Sequence, residues 1–200
     1  MPKLPLSFYT RPDVVLIARE LIGKYLFTNI GGVLTGGKIV ETEAYSGEND
    51  LACHSHSGRR TTRTEIMFQE GGVVYVYLIY GIYVLFNIIT NQAEKADAVL
   101  IRAIEPTTGI AEMLLRRGHT KLTPKLTAGP GLVTLALGIT KKQYGAHLTG
   151  DTIWLEDQGI FVPDHQLIAS PRVGVAYAGQ DALLPWRFRL SGSLWTSKAK

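Results

Sequence analysis

Lys38-Ile39-Val40-Glu41-Thr42-Glu43-Ala44-Tyr45 reads as a strand that carries two carboxylates, and its reading decides the fold. Side chains alternate faces along a strand, so Glu41, Glu43 and Tyr45 share one face, and Val40, Thr42 and Ala44 the other. Two more apolar runs have the same character. Val74-Tyr-Val-Tyr-Leu-Ile-Tyr-Gly-Ile-Tyr83 reads as strand, turn and strand. Ala98-Val-Leu-Ile-Arg-Ala-Ile-Glu-Pro106 reads as a buried strand with Arg102 at its centre. Charges are seldom placed in such runs unless they are paired or used.

The rest of the chain is read outward from these runs. Residues 73–80 and 83–90 form two strands around Gly81-Ile82, with glycine at the first position of a type II′ turn. Tyr80 then sits beside the tip, with Tyr75 and Tyr77 on the opposite face of its strand. The strand 98–104 is closed by Pro106. Upstream, Asp13 caps a short amphipathic helix over 14–23 that Gly23 stops. Residues 24–30 are a strand ending at Gly31-Gly32, and Gly36-Gly37 opens the strand 38–45. Residues 46–66 are a long polar loop, the kind of segment in which function concentrates. Helices are expected over 108–117 and, after Gly129-Pro130-Gly131, over 132–137 with a stop at Gly138. Strands near 152–156, 159–162, 171–177 and 186–191 complete the chain. The fold class is α+β: a single domain spanning 1–200, with a curved, mostly antiparallel β-sheet, helices around it and a protruding β-hairpin.

Composition narrows the function classes. An apolar fraction of 46% and a charged fraction of 19% are globular values and exclude disorder. Net charge is +4, unevenly spread: residues 1–100 carry a net −1 and residues 101–200 a net +5. Anionic partners should therefore meet the second half, helped by the local cluster Arg59-Arg60-x-x-Arg63. Cys53 is the only cysteine, so no disulfide forms within the chain and a reducing compartment is the default. The N-terminus carries no targeting pattern, and no apolar run is long enough to span a bilayer. A cytoplasmic protein with no membrane role is expected.

Several residues have the chemistry of a site. Glu43 and Arg102 lie in apolar strands; if both are buried, pairing is the cheapest arrangement, because an isolated buried charge costs several kcal/mol. A shielded carboxylate kept ionised by arginine can position and deprotonate a water. A structural ion pair explains the same residues without a reaction. Glu41, on the same face, is the rival base, or else a solvated strand-end carboxylate. Asn87 interrupts Val-Leu-Phe-Asn-Ile-Ile, where a buried amide either senses a base edge or satisfies backbone at a bulge. Tyr45, Tyr77 and His54 offer faces on which a flat base can stack, with cation–π attraction for a cationic one; core packing is the plainer reading of each. Tyr80 beside a tight turn is hard to bury and suits a wedge between base steps. Cys53-His54-Ser55-His56 invites a metal reading, but the remaining histidines stand alone and a structural zinc normally needs four ligands; no metal or other cofactor is expected. Gly129-Pro130-Gly131 could present N–H groups to a phosphate, or simply start a helix. Arg59, Arg60, Arg63, Arg116, Arg117, Lys121 and Lys125 could line a duplex or form a solvated surface.

Taken together the segments closely resemble the alkyladenine (3-methyladenine, or methylpurine) DNA glycosylase family over nearly the whole chain. The resemblance is carried by Phe8-Tyr9-x-Arg11-Pro12, Ala18-Arg19-Glu20-Leu21-Ile22-Gly23-Lys24, Ile39-Val40-Glu41-Thr42-Glu43-Ala44-Tyr45 and Ala52-Cys53-His54. It continues through Tyr75-Val76-Tyr77-x-x-Tyr80-Gly81, Asn87, Arg102-Ala103-Ile104-Glu105-Pro106, Arg172-Val173-Gly174-Val175 and Pro185-Trp186-Arg187-Phe188. It implies that Glu43 activates water, that Arg102 supports it, and that the backbone carbonyl of Val173 helps to hold that water. It implies that Tyr45, His54 and Tyr77 stack the flipped base, that Tyr80 intercalates and that Asn87 rejects normal guanine. Arg59 then lies near the DNA backbone. The implied partner is double-stranded DNA containing damaged purines, bound by a monomer, and the implied setting is the bacterial cytoplasm, nucleoid-associated through DNA. The chain departs from the family's pattern at Thr61-Thr62-Arg63 (often Thr-Pro-Arg), at Leu132 (a lysine) and at Ile82 (frequently Met). Two other readings compete: a damaged-DNA-binding module without catalysis, for which a shielded carboxylate near an anionic ligand has no use, and a metal hydrolase on Cys53, His54 and His56.

Overall fold

The computed structural model describes residues 2–198. Its helices are α1 (Leu6–Tyr9), α2 (Val14–Glu20), α3 (Ile110–Arg117) and α4 (Pro130–Leu137). Its strands are β1 (Tyr25–Ile30), β2 (Val33–Tyr45), β3 (Val74–Ile79), β4 (Tyr83–Thr90), β5 (Asp97–Thr108), β6 (Ile153–Glu156), β7 (Leu167–Ser170) and β8 (Arg187–Leu190). Strand order runs β3-β4-β5-β2-β1-β6, and β8 pairs with both β2 and β7. All strand pairs are antiparallel, so the expected α+β class and sheet type hold.

β2 is the centre. One edge pairs with β5 along most of its length; the other is divided, Val33–Lys38 to β1 and Glu41–Glu43 to β8. β2 is internal to the sheet, and it is buried from Thr35 to Ala44 except at Lys38. α2 packs over β2 and β5, and α4 over β4 and β5, closing a core that includes Ile17, Leu21, Ile39, Phe86, Ile101, Val133 and Leu137. Asp13 caps α2 as expected, its carboxylate accepting from Leu16 N at 2.8 Å.

Two irregularities aim the charges. Between β2 and β5 the register passes from Ile39↔Ile104 to Glu41↔Ala103 and then to Thr42↔Ile101. Val40 is thus an extra residue on β2, and Arg102 an extra residue on β5. Offsetting bulges of this kind re-aim side chains without changing the pairing beyond them. Here they bring Arg102 over both Glu41 and Glu43.

Other boundaries differ from the sequence reading. β2 starts at Val33, not after Gly36-Gly37; those glycines lie inside the strand, where a Cβ on Gly37 would stand 2.3 Å from the Glu105 carbonyl oxygen. β5 does not stop at Pro106 but runs to Thr108. The proline is tolerated because β4 pairs only with Asp97–Leu100, leaving that edge of β5 with no ladder bond to lose there. Residues 159–162 form no strand: Gly159 turns at φ +74° and Phe161 is 83% exposed. Residues 171–177 form none either, since Gly174 at φ +77° breaks the extended backbone; the strand lies earlier, over β7.

The β3–β4 hairpin is also one residue away from expectation. Ile79 pairs with Tyr83, and Ile82 N donates to Ile79 O at 3.2 Å. The central turn residues are therefore Tyr80 and Gly81, at φ +52° and +70°, as in a type I′ turn rather than a II′ turn at Gly81-Ile82. Tyr80 is in the tip itself and is 84% exposed.

Replacing Gly37 by Ala should lower unfolding stability by about 2 kcal/mol or more, because the Cβ would strike backbone rather than a yielding side chain. Urea denaturation measures it; an unchanged midpoint would mean that β2 and β5 can separate freely here.

Candidate active site

Glu43 is fully buried and its carboxylate is held from three directions. Val173 N donates to Oε1 at 2.8 Å, Arg102 Nη1 stands 3.2 Å from Oε1, and the Tyr45 hydroxyl donates to Oε2 at 2.7 Å. A carboxylate offers about four acceptor sites, so one site on Oε2 stays available to a further donor such as water. At Val173 the contact is made by the amide N–H, a role the sequence reading did not assign.

Glu41, the rival base, is engaged differently. Arg102 Nε donates to its Oε1 at 2.7 Å and Arg187 Nε at 2.8 Å; Ser197 adds its N–H to Oε2 at 2.5 Å and its hydroxyl to Oε1 at 2.7 Å. Burial pushes this carboxyl up, but the guanidinia of Arg102 and Arg187 and the Ser197 hydrogen bonds outweigh it and hold it below its ordinary value. Four donors on a fully buried carboxylate leave it no reach toward a substrate. Glu41 is thus neither solvated at a strand end nor free to act as a base. Arg102, by contrast, spans both carboxylates, and this keeps it cationic despite burial, which alone would weaken its proton affinity.

A cavity of about 480 Å³ opens in front of this cluster. Its walls include Tyr45, His54, Tyr77, Asn87, Arg102 and Val173, with Tyr80 at the hairpin tip and Pro130 at the start of α4. Seven of the nine sequence-predicted site residues, Tyr80 among them, therefore line one space. Glu43 itself stands one layer behind, covered by Tyr45, Arg102 and Val173. Arg59 lies beyond, beside a smaller hollow that it shares with His54, His56, Arg63 and Tyr177.

The aromatic walls are fixed by polar contacts. Tyr45 is tied to Glu43 and its hydroxyl proton is held far more tightly than usual, by burial first and by Glu43 second. His54 Nδ1 lies 2.9 Å from the Tyr75 hydroxyl, and its ring meets Tyr77 edge-on at 4.7 Å. Burial first, then the cations of Arg63 and Arg59, lower the His54 pKa to about 4, so the imidazole is neutral at pH 7. Asn87 Nδ2 donates to Tyr75 O at 3.2 Å inside a regular stretch of β4, not at a bulge.

Several expectations for the charged surface change. Arg60 is tied to Glu65 and Glu94 and lies over the Phe68 ring at 4.0 Å. Arg116 bonds Glu112 at 2.9 Å and the Ala136 carbonyl at the end of α4. Neither is free for phosphate. Arg63, over the Tyr77 ring at 5.5 Å, borders both hollows. Gly131 has a packing role: a Cβ there would meet the Tyr83 ring at 2.9 Å. Among the described residues no three His, Cys, Asp or Glu side chains converge as a metal site would require. Cys53 is buried against Ser55, and its thiol is pushed up to about 11 by burial.

Four contributors were missed. Asp50 and Arg172 form a fully buried pair at 2.5 and 2.8 Å. Arg187 sits between Trp186 and Phe188, so the argument applied to Arg102, a charge in an apolar strand, would have found it. Ser197 has no such signal; only the return of the chain reveals it.

Cavity, exposed hairpin tip and buried carboxylate thus lie together, as the sequence resemblance implies. Comparison narrows this further. A family model described as methylpurine-DNA glycosylase (MPG) matches residues 7–194. Proteins of Bacillus cereus (strain B4264) and Bacillus mycoides (strain KBAB4), each named "Putative 3-methyladenine DNA glycosylase", are 43% identical over 202 residues, covering 97% of this chain and 98% of each relative. A Bacillus anthracis (strain CDC 684 / NRRL 3495) protein of the same name is 42% identical with the same coverage. The chain belongs to the methylpurine-DNA glycosylase family.

Because His54 titrates near 4 when folded against 6.5 when free, the unfolded chain binds the extra proton between those values. Its contribution is fully present above pH 6.5 and is lost as pH falls toward 4, at most about 3 kcal/mol. His54→Gln should flatten the acid side of the stability–pH curve by that order; parallel curves for the two proteins would show that His54 is not neutral in the fold.

Proposed function

We propose that the chain is one DNA glycosylase domain that removes damaged purines from duplex DNA as a monofunctional hydrolase, in the first step of base excision repair. The observation that carries this reading is Glu43, held by Val173 N–H, Arg102 and the Tyr45 hydroxyl directly behind an aromatic cavity. The substrate class is N-alkylated and deaminated purines: 3-methyladenine, 7-methylguanine, hypoxanthine and ethenoadenine. A purine flipped from the stack enters between Tyr45, His54 and Tyr77, and Tyr80 fills the space it leaves. Asn87, at the cavity wall, hydrogen-bonds or clashes with the base edge, excluding guanine.

Hydrolysis then needs little from the protein beyond placement and charge. As the N-glycosidic bond lengthens, the sugar gains oxocarbenium character, which the Glu43 carboxylate stabilises. A water bound on the open acceptor site of Oε2, and steadied by the Val173 carbonyl, gives its proton to Glu43 while its oxygen bonds the sugar carbon. The base departs with the electron pair of the broken bond. N3-methyladenine and N7-methylguanine are cationic in the nucleotide, so they leave as neutral bases and stack well on tyrosine. No lysine lines the cavity among the described residues, which agrees with water rather than an amine as the nucleophile. Arg59 and the exposed cations on this face track the DNA backbone, and the enzyme works as a monomer on DNA in the bacterial cytoplasm.

One observation favours a second reading, damaged-DNA binding without base release: Glu43 does not itself line the cavity. Single-turnover release from duplexes carrying these lesions, in chelator, separates the two. Wild type should release base, and Glu43→Gln should lose about 100-fold or more in rate while keeping lesion affinity within a few-fold. Tight binding without release by wild type would leave the binding module; equal rates would remove Glu43 as base.

Tyr80→Ala should weaken lesion binding about tenfold, in line with the loss of one stacked aromatic. Gel-shift titration reads it, and an unchanged affinity would put the wedge elsewhere. Affinity should also fall steeply on a log–log plot against salt; a flat response would mean that phosphates are not contacted.

A further inference from the structure

The buried pair Asp50–Arg172 touches no part of the proposed reaction, yet it meets three of the segments that supply the cavity, those carrying Tyr45, His54 and Val173. Arg172 Nη1 donates to Asp50 Oδ2 at 2.5 Å and to the Ala44 carbonyl at 2.8 Å; Nη2 donates to Asp50 Oδ1 at 2.8 Å and to the Asp181 carbonyl at 3.0 Å. Asp50 in turn accepts from Ala52 N at 2.9 Å and Ser46 N at 3.3 Å. Ala44 lies between Glu43 and Tyr45, Ala52 leads to His54, and Arg172 precedes Val173. The guanidinium carbon stands 4.8 Å from the centroid of the Tyr45 ring and 5.1 Å from that of Trp186. Tyr45 lines the cavity and Arg172 does not, so the cation is on the side of the ring away from the base.

That placement has an electrostatic consequence. A cationic base stacked roughly 3.5 Å in front of the ring would lie about 8 Å from the Arg172 charge behind it. Arginine stays protonated at any working pH, so the repulsion can be removed only by a fixed anion, and Asp50 supplies one at contact distance. We propose that Asp50–Arg172 is a positioning and specificity-determining pair: it sets the Tyr45 ring, and its internal neutrality lets that ring accept cationic alkylpurines as readily as neutral ones. This rests on the glycosylase reading above and adds a selectivity that it does not contain.

The test is the ratio of single-turnover release and of affinity between a cationic lesion, 7-methylguanine, and a neutral one, hypoxanthine. It compares wild type, Asp50→Asn, Arg172→Gln and the double variant, at a temperature where each is folded by its melting curve. Asp50→Asn leaves a lone cation behind Tyr45 and should lower the cationic-to-neutral ratio on the order of tenfold, the Coulomb effect of a unit charge at that distance in a protein environment. Arg172→Gln leaves the anion, still held by two backbone N–H groups, and should move the ratio the opposite way. The double variant should return it to within about twofold of wild type even if both rates fall. A purely structural role lowers release from both lesions together. A ratio unmoved in the single variants, or moved in the same direction by both, overturns the proposal. If either single variant fails to fold, the sign in the other still decides. Failure of wild type to release either base would instead be a failure of the glycosylase reading, which Glu43→Gln monitors separately.

Discussion

One guanidinium organises the molecule. Arg102 stands between Glu41 and Glu43, 2.7 Å from the first and 3.2 Å from the second, in a strand buried on both faces. Burying any one of these groups alone would cost several kcal/mol, so none is tolerable without the others. Arg187 completes the set at Glu41, giving two carboxylates and two guanidinia with no net charge. The fold is arranged around this requirement. β2 brings the carboxylates, β5 brings Arg102 on a bulge at one edge of β2, β8 brings Arg187 from the other edge, and the chain returns to set Ser197 on Glu41. The division of labour between the carboxylates follows. Glu41 takes four donors and becomes the anchor, whereas Glu43 keeps an acceptor site beside the cavity.

How much of this was legible in the sequence depends on the range of the interaction. The strands from 24 to 104, that near 152–156 and that near 186–191, the cap at Asp13, the helix stop at Gly138 and the antiparallel α+β class follow from local periodicity and turn chemistry, and they hold. The pairing of Arg102 with Glu43 was also legible, because a charge in an apolar strand announces a partner. Its sharing with Glu41 was not, since it depends on two bulges, and a one-residue slip leaves no mark on a hydrophobic pattern. The hairpin shows the same limit at short range. Gly81 announces a turn, but glycine at either central position suits a primed turn, and only the pairing of Ile79 with Tyr83 decides that Tyr80 occupies the left-handed position. The failed strands at 159–162 and 171–177 are apolar runs that find no sheet edge. At 171–177 the backbone is diverted to other work, since the Val173 amide serves Glu43 instead of a ladder.

The structure separates a rigid interior from an exposed working edge. Tyr45, Tyr77 and His54 are held by Glu43, by Arg63 and by the Tyr75 hydroxyl, so the cavity walls are set before any ligand arrives. Such preorganisation lowers the ordering cost of binding. Tyr80 is the opposite case, an exposed aromatic on a left-handed tip residue, a conformation that is uncommon for a bulky side chain. An exposed, conformationally costly aromatic persists where something outside the chain covers it, and here it stands at the mouth of the cavity.

Charge follows the same division. Around the cavity three buried carboxylates (Glu41, Glu43, Asp50) face three buried guanidinia (Arg102, Arg172, Arg187), and His54 is neutral. These six charges cancel within the cluster, while Arg59 and Arg63, without a carboxylate partner among the described residues, stand at the rim. A net positive interior would have favoured the DNA as a polyanion but repelled the cationic bases inside it. A net negative one would have done the reverse. On the reading proposed above, pairing these six charges locally allows both at once, the backbone attracted at the rim by long-range charge and the base judged inside by shape, stacking and hydrogen bonds. On that same reading, discrimination among purines falls to short-range contacts at Asn87 and the three rings, where a single side chain is enough to change it.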